Sequence, residues 1–420
     1  MKKDSFPTVA IIGGGASGLA AAVFADDEAK RNRKKVNTVV YEANSRIGKK
    51  LLVTGNGRCN FTNSDMNMCH FHGDAELVKN ALTAFSEKDT VDFFRRGGVF
   101  EKTDNAGRVY PLSNQASSIL DFFRFETERR DITVRTDYRV SSITKAGDGF
   151  IINGRDYADS VIFACGGKAA AVHGSDGSVF DILSSLGISH TELYPALVPL
   201  CVADFTKALK GIRADGKITA KQNGTVIASD RGELQYTDYG ISGIPAMQIS
   251  GRIAPYFDSG KPVFVIVDSA PSIDDEKLKS FIVDSITGSP DKPVEMLLSG
   301  LMPKRLAVCL LSGLSFNPEK TLRTVNPSAA DKIVSAVKYK KYKLSGVKGF
   351  ADAQVTAGGV PLSELNPLTL EAKRVKKVFV CGETVNVDGD CGGYNLQWAW
   401  SSADVAARAA VRELINAQNK

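Results

Sequence analysis

The sequence predicts an α/β protein. A Rossmann-like domain is assembled discontinuously from the two ends of the chain and is interrupted by a β-rich, then helical, insertion. Three observations predict this. The run Val9-Ala10-Ile11-Ile12 suits a strand buried on both faces, and it leads through Gly13-Gly14-Gly15 into an Ala-rich helical run. The same order returns near the C-terminus, where Val375–Cys381 leads through a glycine-rich acidic turn into an Ala-rich tail. Between them the composition shifts near Tyr194-Pro195 to short β runs, with turn signals at Asp215-Gly216, Asn223-Gly224 and Ser259-Gly260.

The bulk properties agree. At 420 residues the chain exceeds the size at which a single core stops growing, so more than one domain is expected. Its 43% hydrophobic and 24% charged content is that of a globular protein. A net charge of +6 fits an anionic ligand and does not call for nucleic acid. Seven cysteines without a C-x-x-C pair read as reduced thiols, which implies a cytoplasmic protein. Met1–Ser5 opens no signal region, and no apolar run is long enough for a membrane span. Four histidines are few for a metal site; His70 and His72 share a strand face and read as surface residues, so no metal is expected.

Taken in order, Gly13, Gly15 and Gly18 fit G-x-G-x-x-G. Gly13 permits the tight turn, Gly15 lets a pyrophosphate approach the backbone, and Gly18 lets helix and strand pack closely. Ala16 and Ser17 open the helix, where free N–H groups and the positive dipole end favour an anion. Val36–Tyr41 reads as a second strand, ending at Glu42, a carboxylate able to accept from a ribose diol. Residues 44–63 then mix glycine, asparagine and four cations, Arg46, Lys49, Lys50 and Arg58. This set suits a loop that clamps the middle of an extended dinucleotide. Helical patterns follow near Ala75–Phe85 and Asp89–Gly97, and from Gln115 to about Arg130 with Ser113 as its cap. Short strands are expected at Ile132–Val134, Tyr138–Thr144 and Phe150–Asn153, with Val140 where its backbone could meet an adenine edge.

Ser160–Ala164 is another buried strand, ending at Cys165-Gly166-Gly167. It is similar to the Ala-Thr-Gly strand that closes the cofactor domain of two-dinucleotide-binding-domain flavoproteins, with Cys165 in the Thr place. Gly174–Gly177 leads into a helix near Val179–Leu186. In the insertion, helical patterns are expected near Asp274–Ile286, Pro293–Leu314 and Ser328–Lys343, and the cation-aromatic run Lys338–Lys343 reads as a solvated helix end. The final turn runs Gly382-Glu383 through Asp388-Gly389 to Gly392-Gly393, and a helix starting near Tyr394 or Asn395 would aim N–H groups at an electron-rich centre.

Two phosphate-type features at opposite ends of the chain are explained together by one long cofactor, and FAD fits. Asp388 could take ribityl or phosphate-side hydroxyls, and the helix after Gly393 could face the pyrimidine edge, where negative charge develops on reduction.

At this point the sequence resembles a known family, the aminoacetone-oxidase-like, BaiN-type FAD-dependent oxidoreductases. The resemblance covers essentially the whole chain. It rests on Gly13–Gly18 with Glu42, Thr54–Asn63, Pro195–Leu200, Gly240–Gly243, Val355–Val360, Gly382-Glu383 and Gly392–Gln397. It implies a FAD domain (1–194 and 350–420), an inserted β-barrel-like domain (195–270 and 344–349) and a small helical domain (271–343). It further implies a flavin near Cys59, Asn60, Asn395 and Leu396. The candidate cofactor set is then Gly13, Gly15, Ala16, Ser17, Gly18, Glu42, Lys50, Thr54, Gly55, Arg58, Cys59, Asn60, Val140, Gly166, Gly382, Glu383, Asp388, Gly393, Asn395 and Leu396. Three departures stand out: Asp238 where many members have His, Ile244 before Pro245, and Ser402-Ala403 where Ser-Gly is usual.

The expected activity is hydride transfer between a small organic substrate, an amine or aminoketone among the choices, and flavin N5. Cys59 is the candidate to test near the ring; Tyr239 and Tyr394 are weaker proton-relay candidates. With a single complete G-x-G-x-x-G, no second Rossmann domain for NAD(P)H is expected, and the electron partner is either oxygen or a transiently bound NAD(P)H. Alternatives are an NAD(P)H-using reductase of an unsaturated or carbonyl substrate, a flavin-containing RNA-binding protein, and a flavin-free NAD dehydrogenase. The leading reading expects neither nucleic acid nor membrane as partner.

Overall fold

A computed structural model describes residues 6–418. Met1–Ser5, on which one of the expectations above falls, and residues 419–420 lie outside the described residues. The chain divides into two compact units, residues 1–194 with 354–420, and residues 195–353.

The first unit is built on a five-stranded parallel sheet in the order Val378–Val380, Ser160–Phe163, Thr8–Ile12, Asn37–Tyr41, Thr133–Arg135. All five residues of Thr8–Ile12 are buried, as a strand covered on both faces requires. The C-terminal strand lies beside Ser160–Phe163, so this sheet is completed only when the two ends of the chain meet. The opening helix Ala16–Arg31 packs against the closing helix Tyr394–Gln418. Their apolar contact is reinforced by a buried carboxylate. Glu28 is 2% exposed and accepts from Arg412 Nε (2.7 Å), Arg408 Nη1 (3.1 Å) and Asn32 Nδ2 (3.1 Å). Burial alone would raise the Glu28 pKa; the two arginines outweigh it and hold the carboxyl below the usual range.

The first unit refines several expectations. Helices run Ala75–Ala84 and Glu87–Arg96, the latter with a Ser86–Asp89 capping box. Ser113 accepts from the Gln115 N–H, but the helix Ala116–Arg129 has no side-chain cap. Residues 138–142 are irregular and the strand begins at Ile143, because Asn153 Oδ1 takes the Ser141 and Ser142 N–H groups that a ladder would use.

The second unit holds a closed six-stranded barrel. Its order is Leu200–Val202, Gly240–Ser242, Thr225–Tyr236, Arg213–Gln222, Val263–Asp268, Lys340–Val347. Along Val263–Asp268 every second residue is buried, the period of a strand with one face on a core. Helices Asp275–Gly288, Lys304–Ser312 and Ala330–Lys338 contribute Leu278, Leu306 and Ile333 to the same core as barrel residues Ile218 and Val265. The fold class is therefore as expected: a Rossmann-like sheet with an inserted barrel and helices.

Two expectations in this unit are corrected. The pattern Pro293–Leu314 is broken, with a short turn at Val294–Met296 and the helix starting only at Lys304, after Pro303. The run Lys338–Lys343 is not a helix end. The helix stops at Lys338, and Lys340–Val347 is a barrel strand, because the alternation of Lys341 and Lys343 outward with Leu344 inward has period two. Lys338 is buried and donates to Ala270 O (3.2 Å) and Ile273 O (2.5 Å) beside Asp268, so it is a structural cation.

The Glu28 cluster gives a stability prediction. Glu28→Ala strands the mostly buried Arg408 guanidinium without its Glu28 partner, and chemical denaturation is expected to show a loss of about 3 kcal/mol. The Glu28 pKa is depressed by folding, so its contribution is present above the unfolded carboxylate value and is lost as pH falls through the folded one. The stability difference between wild type and Glu28→Gln should therefore narrow in acid.

Candidate functional site

The first unit contains a cavity of about 1330 Å³ of unfilled space, its open mouth included. Its walls come from the turn after the first strand, residues 41–54, residues 138–140, the loop 164–179, and the C-terminal turn and helix start.

The turn is built by two close approaches. Gly13 has φ +108°, and a Cβ there would stand 2.5 Å from Ala164 O. A Cβ on Gly18 would stand 1.8 Å from Gly13 O, so only glycine lets the helix seat against the turn. Gly18 is thus packing, not cavity wall. Gly15 is the reverse: a Cβ there meets nothing within 4 Å, and as N-cap it offers no side chain to the helix. Gly13–Ser17 line the cavity, so the unpaired N–H groups of the first helical turn open into free space. That arrangement suits an anion.

Glu42 stands where the second strand ends, 8% exposed. Its Oε2 accepts from the Gly14 N–H (2.8 Å), and its Oε1 from the Asn44 N–H (2.7 Å) and Asn44 Nδ2 (2.6 Å). Three of about four acceptor sites are used, leaving room for one hydroxyl donor. Beyond it, Tyr138, Arg139 and Val140 form a wall. Arg139 Nη1 spans to Asp176 Oδ2 (2.7 Å) and Ser178 Oγ (3.3 Å), tying that wall to the 174–179 segment.

The middle is a charged cross-link between distant segments. Lys50 Nζ donates to Glu383 Oε2 (2.8 Å), and Glu383 Oε1 accepts from the Thr356 N–H (2.9 Å). Thr356 Oγ1 in turn accepts from the Lys168 and Ala169 N–H groups. Gly166 lines the cavity and its carbonyl accepts from Thr384 Oγ1 (3.0 Å). Gly382 lies behind the wall: a Cβ there would stand 2.5 Å from Ser17 Oγ, its N–H donates to Ser402 Oγ, and its carbonyl accepts from Trp398 Nε1. Ser402 is thereby a contact between the last turn and the closing helix.

At the far end Thr54, Val387, Asn395 and Leu396 line the cavity. The Asn395 side chain points away from it, donating to Gly389 O (2.7 Å) and accepting from the Gly389 N–H (2.8 Å), so only its backbone is available. Gly393 has φ +101° with Thr62 O 2.3 Å from its Cβ position. Beside it, Asn60 Oδ1 is buried with no hydrogen-bond partner among the described residues; both residues lie next to the helix start and neither is part of the cavity wall. An orphaned acceptor next to a helix N-terminus fits a ligand edge that carries both a donor and developing negative charge, as the flavin pyrimidine does. The uncapped turn, Glu42 and this far end together fit FAD.

Other candidates do not reach the cavity. Arg58 lies over the Tyr110 ring (4.7 Å) and donates to Gly55 O, holding the loop from outside. Gly55 takes φ +57° in that turn. Asp388 is 8% exposed, opposite His72 in a short ladder, and is not part of the wall. Cys59 is wholly buried at φ +57°; burial, only partly offset by Thr54, pushes its thiol up to about 12. It is held as a packed thiol. His70 and His72 are not surface residues either: both ring edges face Asp390. Sequence reasoning passed over Arg139, His173, Asp176 and Ser178. The density of turn formers in Gly174-Ser175-Asp176-Gly177 was the signal that could have found the last two.

Two predictions follow from these contacts. Gly15→Asp meets no steric obstacle, yet it sets a carboxylate in the anion cradle. Like charges about 4 Å apart repel by about 4 kcal/mol at protein-surface screening, so FAD titration of the apoprotein should show affinity lost by more than about 100-fold. Iodoacetamide at pH 8 should alkylate exposed Cys69 in the native protein and leave Cys59 unlabelled, read by peptide mass.

Comparison with known proteins gives a consistent picture. A family model described as "HI0933-like protein Rossmann domain" matches residues 7–409. The chain is 38% identical over 408 residues to the 3-dehydro-bile acid delta(4,6)-reductase of Clostridium scindens, covering 96% of this chain and 98% of that protein. It is 29% identical over 406 residues to the ribosomal RNA dihydrouridine synthase of Escherichia coli, covering 95% and 96%. Among solved structures, 3-ketosteroid delta1-dehydrogenase from Sterolibacterium denitrificans aligns over 97% of this chain and 100% of its own at 11% identity, with a TM-score of 0.52, a likeness of fold.

Proposed function

This chain belongs to the HI0933-like Rossmann family and is an FAD-dependent oxidoreductase, and from that premise we propose that it moves a hydride between a small organic substrate and N5 of the bound flavin. The observation that carries this is the cavity itself. It has an uncapped helix N-terminus at one part and a second helix start at another.

When bound, the flavin supplies the two-electron chemistry. The protein residues hold and tune it. Gly15–Ser17 would present N–H donors to the pyrophosphate, and Glu42 would accept from the adenosine ribose. Lys50 and Glu383 serve the ribityl-phosphate segment as a pre-formed pair. Because each already bonds the other, the segment binds without ordering two free side chains. The N–H groups at Asn395 and Leu396 would face the pyrimidine edge of a bound flavin and favour negative charge there, which would raise its tendency to accept electrons.

A second reading has support from the relatives. A delta(4,6)-reductase and a dihydrouridine synthase, as named, both saturate a carbon–carbon double bond. On this reading NAD(P)H reduces the cofactor and the substrate is an unsaturated carbonyl compound. RNA as a substrate has less support here, since Lys338 is committed to structural bonds and Lys341 caps the Phe264 ring (3.9 Å) in place of an open stacking platform.

Anaerobic mixing of the purified holoenzyme tests both readings. Bleaching of the flavin absorbance by a primary amine supports an oxidase. Bleaching by NADH or NADPH, reversed by an α,β-unsaturated ketone, supports the reductase. A flavin that none of these reduces or reoxidises would contradict hydride transfer with small organic substrates.

A further inference from the structure

Outside the cavity wall, one cluster of titratable groups has no role in the account above. Asp390 is clasped by two histidines: its Oδ2 lies 3.0 Å from His70 Nδ1 and its Oδ1 2.9 Å from His72 Nε2. All three are largely buried, with side-chain exposures of 14%, 27% and 21%. The cluster is built by the antiparallel ladder that pairs Phe71–Gly73 with Val387–Gly389, and by the Asp390 N–H donating to His70 O (2.9 Å).

The protonation pattern follows from the geometry. Burial alone would raise the Asp390 pKa, but the His72 and His70 contacts outweigh it, so the carboxylate is ionised and accepts from both rings. Each imidazole then places an N–H on the side facing Asp390. The free lone pair of His70 is on Nε2, which faces Asp65 Oδ2 at 3.6 Å. A second proton on His70 therefore meets a carboxylate.

His70 is also coupled to the cavity. Its ring stacks on Tyr394, centroids 4.4 Å apart and 18° between planes. Tyr394 is the first residue of the closing helix, and the next two, Asn395 and Leu396, are cavity wall. The Asn395 amide also donates to Asp390 O (3.3 Å), so cluster and helix start form one hydrogen-bonded piece. The other titratable or charged groups around it are Asp388 opposite His72, Cys69 and Cys391, and Arg108, which acts on Tyr394 and Cys391.

We propose that His70 takes up a proton at Nε2, from solvent and onto the Asp65 side, when negative charge develops in the cavity at the start of the closing helix. This rests on the reading that the flavin pyrimidine edge lies there. The Asp390 and Asp65 carboxyl groups flank His70 on its two ring nitrogens, and their negative charge opposes reduction. One added proton cancels one of those charges. The proton is released again when the cavity loses its negative charge, so no other reagent is consumed. His70 touches neither substrate nor cofactor; it is a positioning residue that couples proton uptake to reduction.

The test is electrochemical reduction of the wild-type holoenzyme and of His70→Asn, whose amide can still donate to Asp390. Proton uptake is followed with an indicator dye and midpoint potential is measured against pH. Wild type should take up as much as about one more proton per FAD than the variant near neutral pH, and its potential should fall more steeply with pH. Asp65→Asn should give an intermediate loss, and it serves as the second variant if His70→Asn does not hold FAD. Equal uptake and parallel potential curves in wild type and variants would overturn the proposal while leaving the FAD reading intact. A wild-type protein that binds no FAD would remove both.

Discussion

The structure depends on one steric constraint: the opening helix must sit directly against the turn that precedes it. A Cβ on Gly18 would be 1.8 Å from Gly13 O, and Gly13 itself holds φ +108° against Ala164 O. With both satisfied, the first helical turn has neither a capping side chain nor a neighbouring wall, and its N–H groups open into the cavity. The rest of the site is arranged around that opening. Glu42 is pinned by the Gly14 N–H, and Gly382 abuts Ser17. The Glu28 cluster locks the far half of the same helix to the C-terminal helix. A change that lets the C-terminal segment move would therefore loosen the anion cradle, although none of its residues makes the cradle.

The cavity is electrostatically balanced, not simply basic. Lys50 is paired with Glu383 and Arg139 with Asp176, while Lys49 donates to Asn44 Oδ1. The positive character comes from helix N-termini, whose partial charges are fixed and cost no side-chain ordering. This suits a cofactor that stays bound through many turnovers: the donors are in place before it arrives. The net charge of +6 contributes attraction over distance, and the backbone supplies the fit.

The legible part of this site was the local part. The strand, the glycine turn, the helix and Glu42 lie within 42 residues, and each follows from side-chain branching, propensity or turn chemistry read in place. The barrel was visible only as short β runs with turn signals; its closure is a property of pairing. What the sequence did not show is set by contacts between distant positions. Lys50 meets Glu383, Arg139 meets Asp176, and His70 and His72 meet Asp390, none of them close in the chain. Lys338–Lys343 was misread because six residues mixing cations and aromatics serve a helix end or a strand equally, and the barrel decides it. The resemblance placed the flavin near Cys59, and Asp388 was read as a partner of ribityl or phosphate-side hydroxyls; both are buried and neither is part of the cavity wall.

The central claim is that both ends of the chain grip one long adenine-and-flavin molecule. Denaturing the purified protein and resolving the released cofactor by chromatography tests this most directly. The account predicts FAD at about one per chain, with no FMN and no free nicotinamide dinucleotide. Release of FMN, which lacks the adenosine half that Glu42 and the uncapped helix are built to hold, would contradict it, and so would a colourless protein that FAD does not reconstitute.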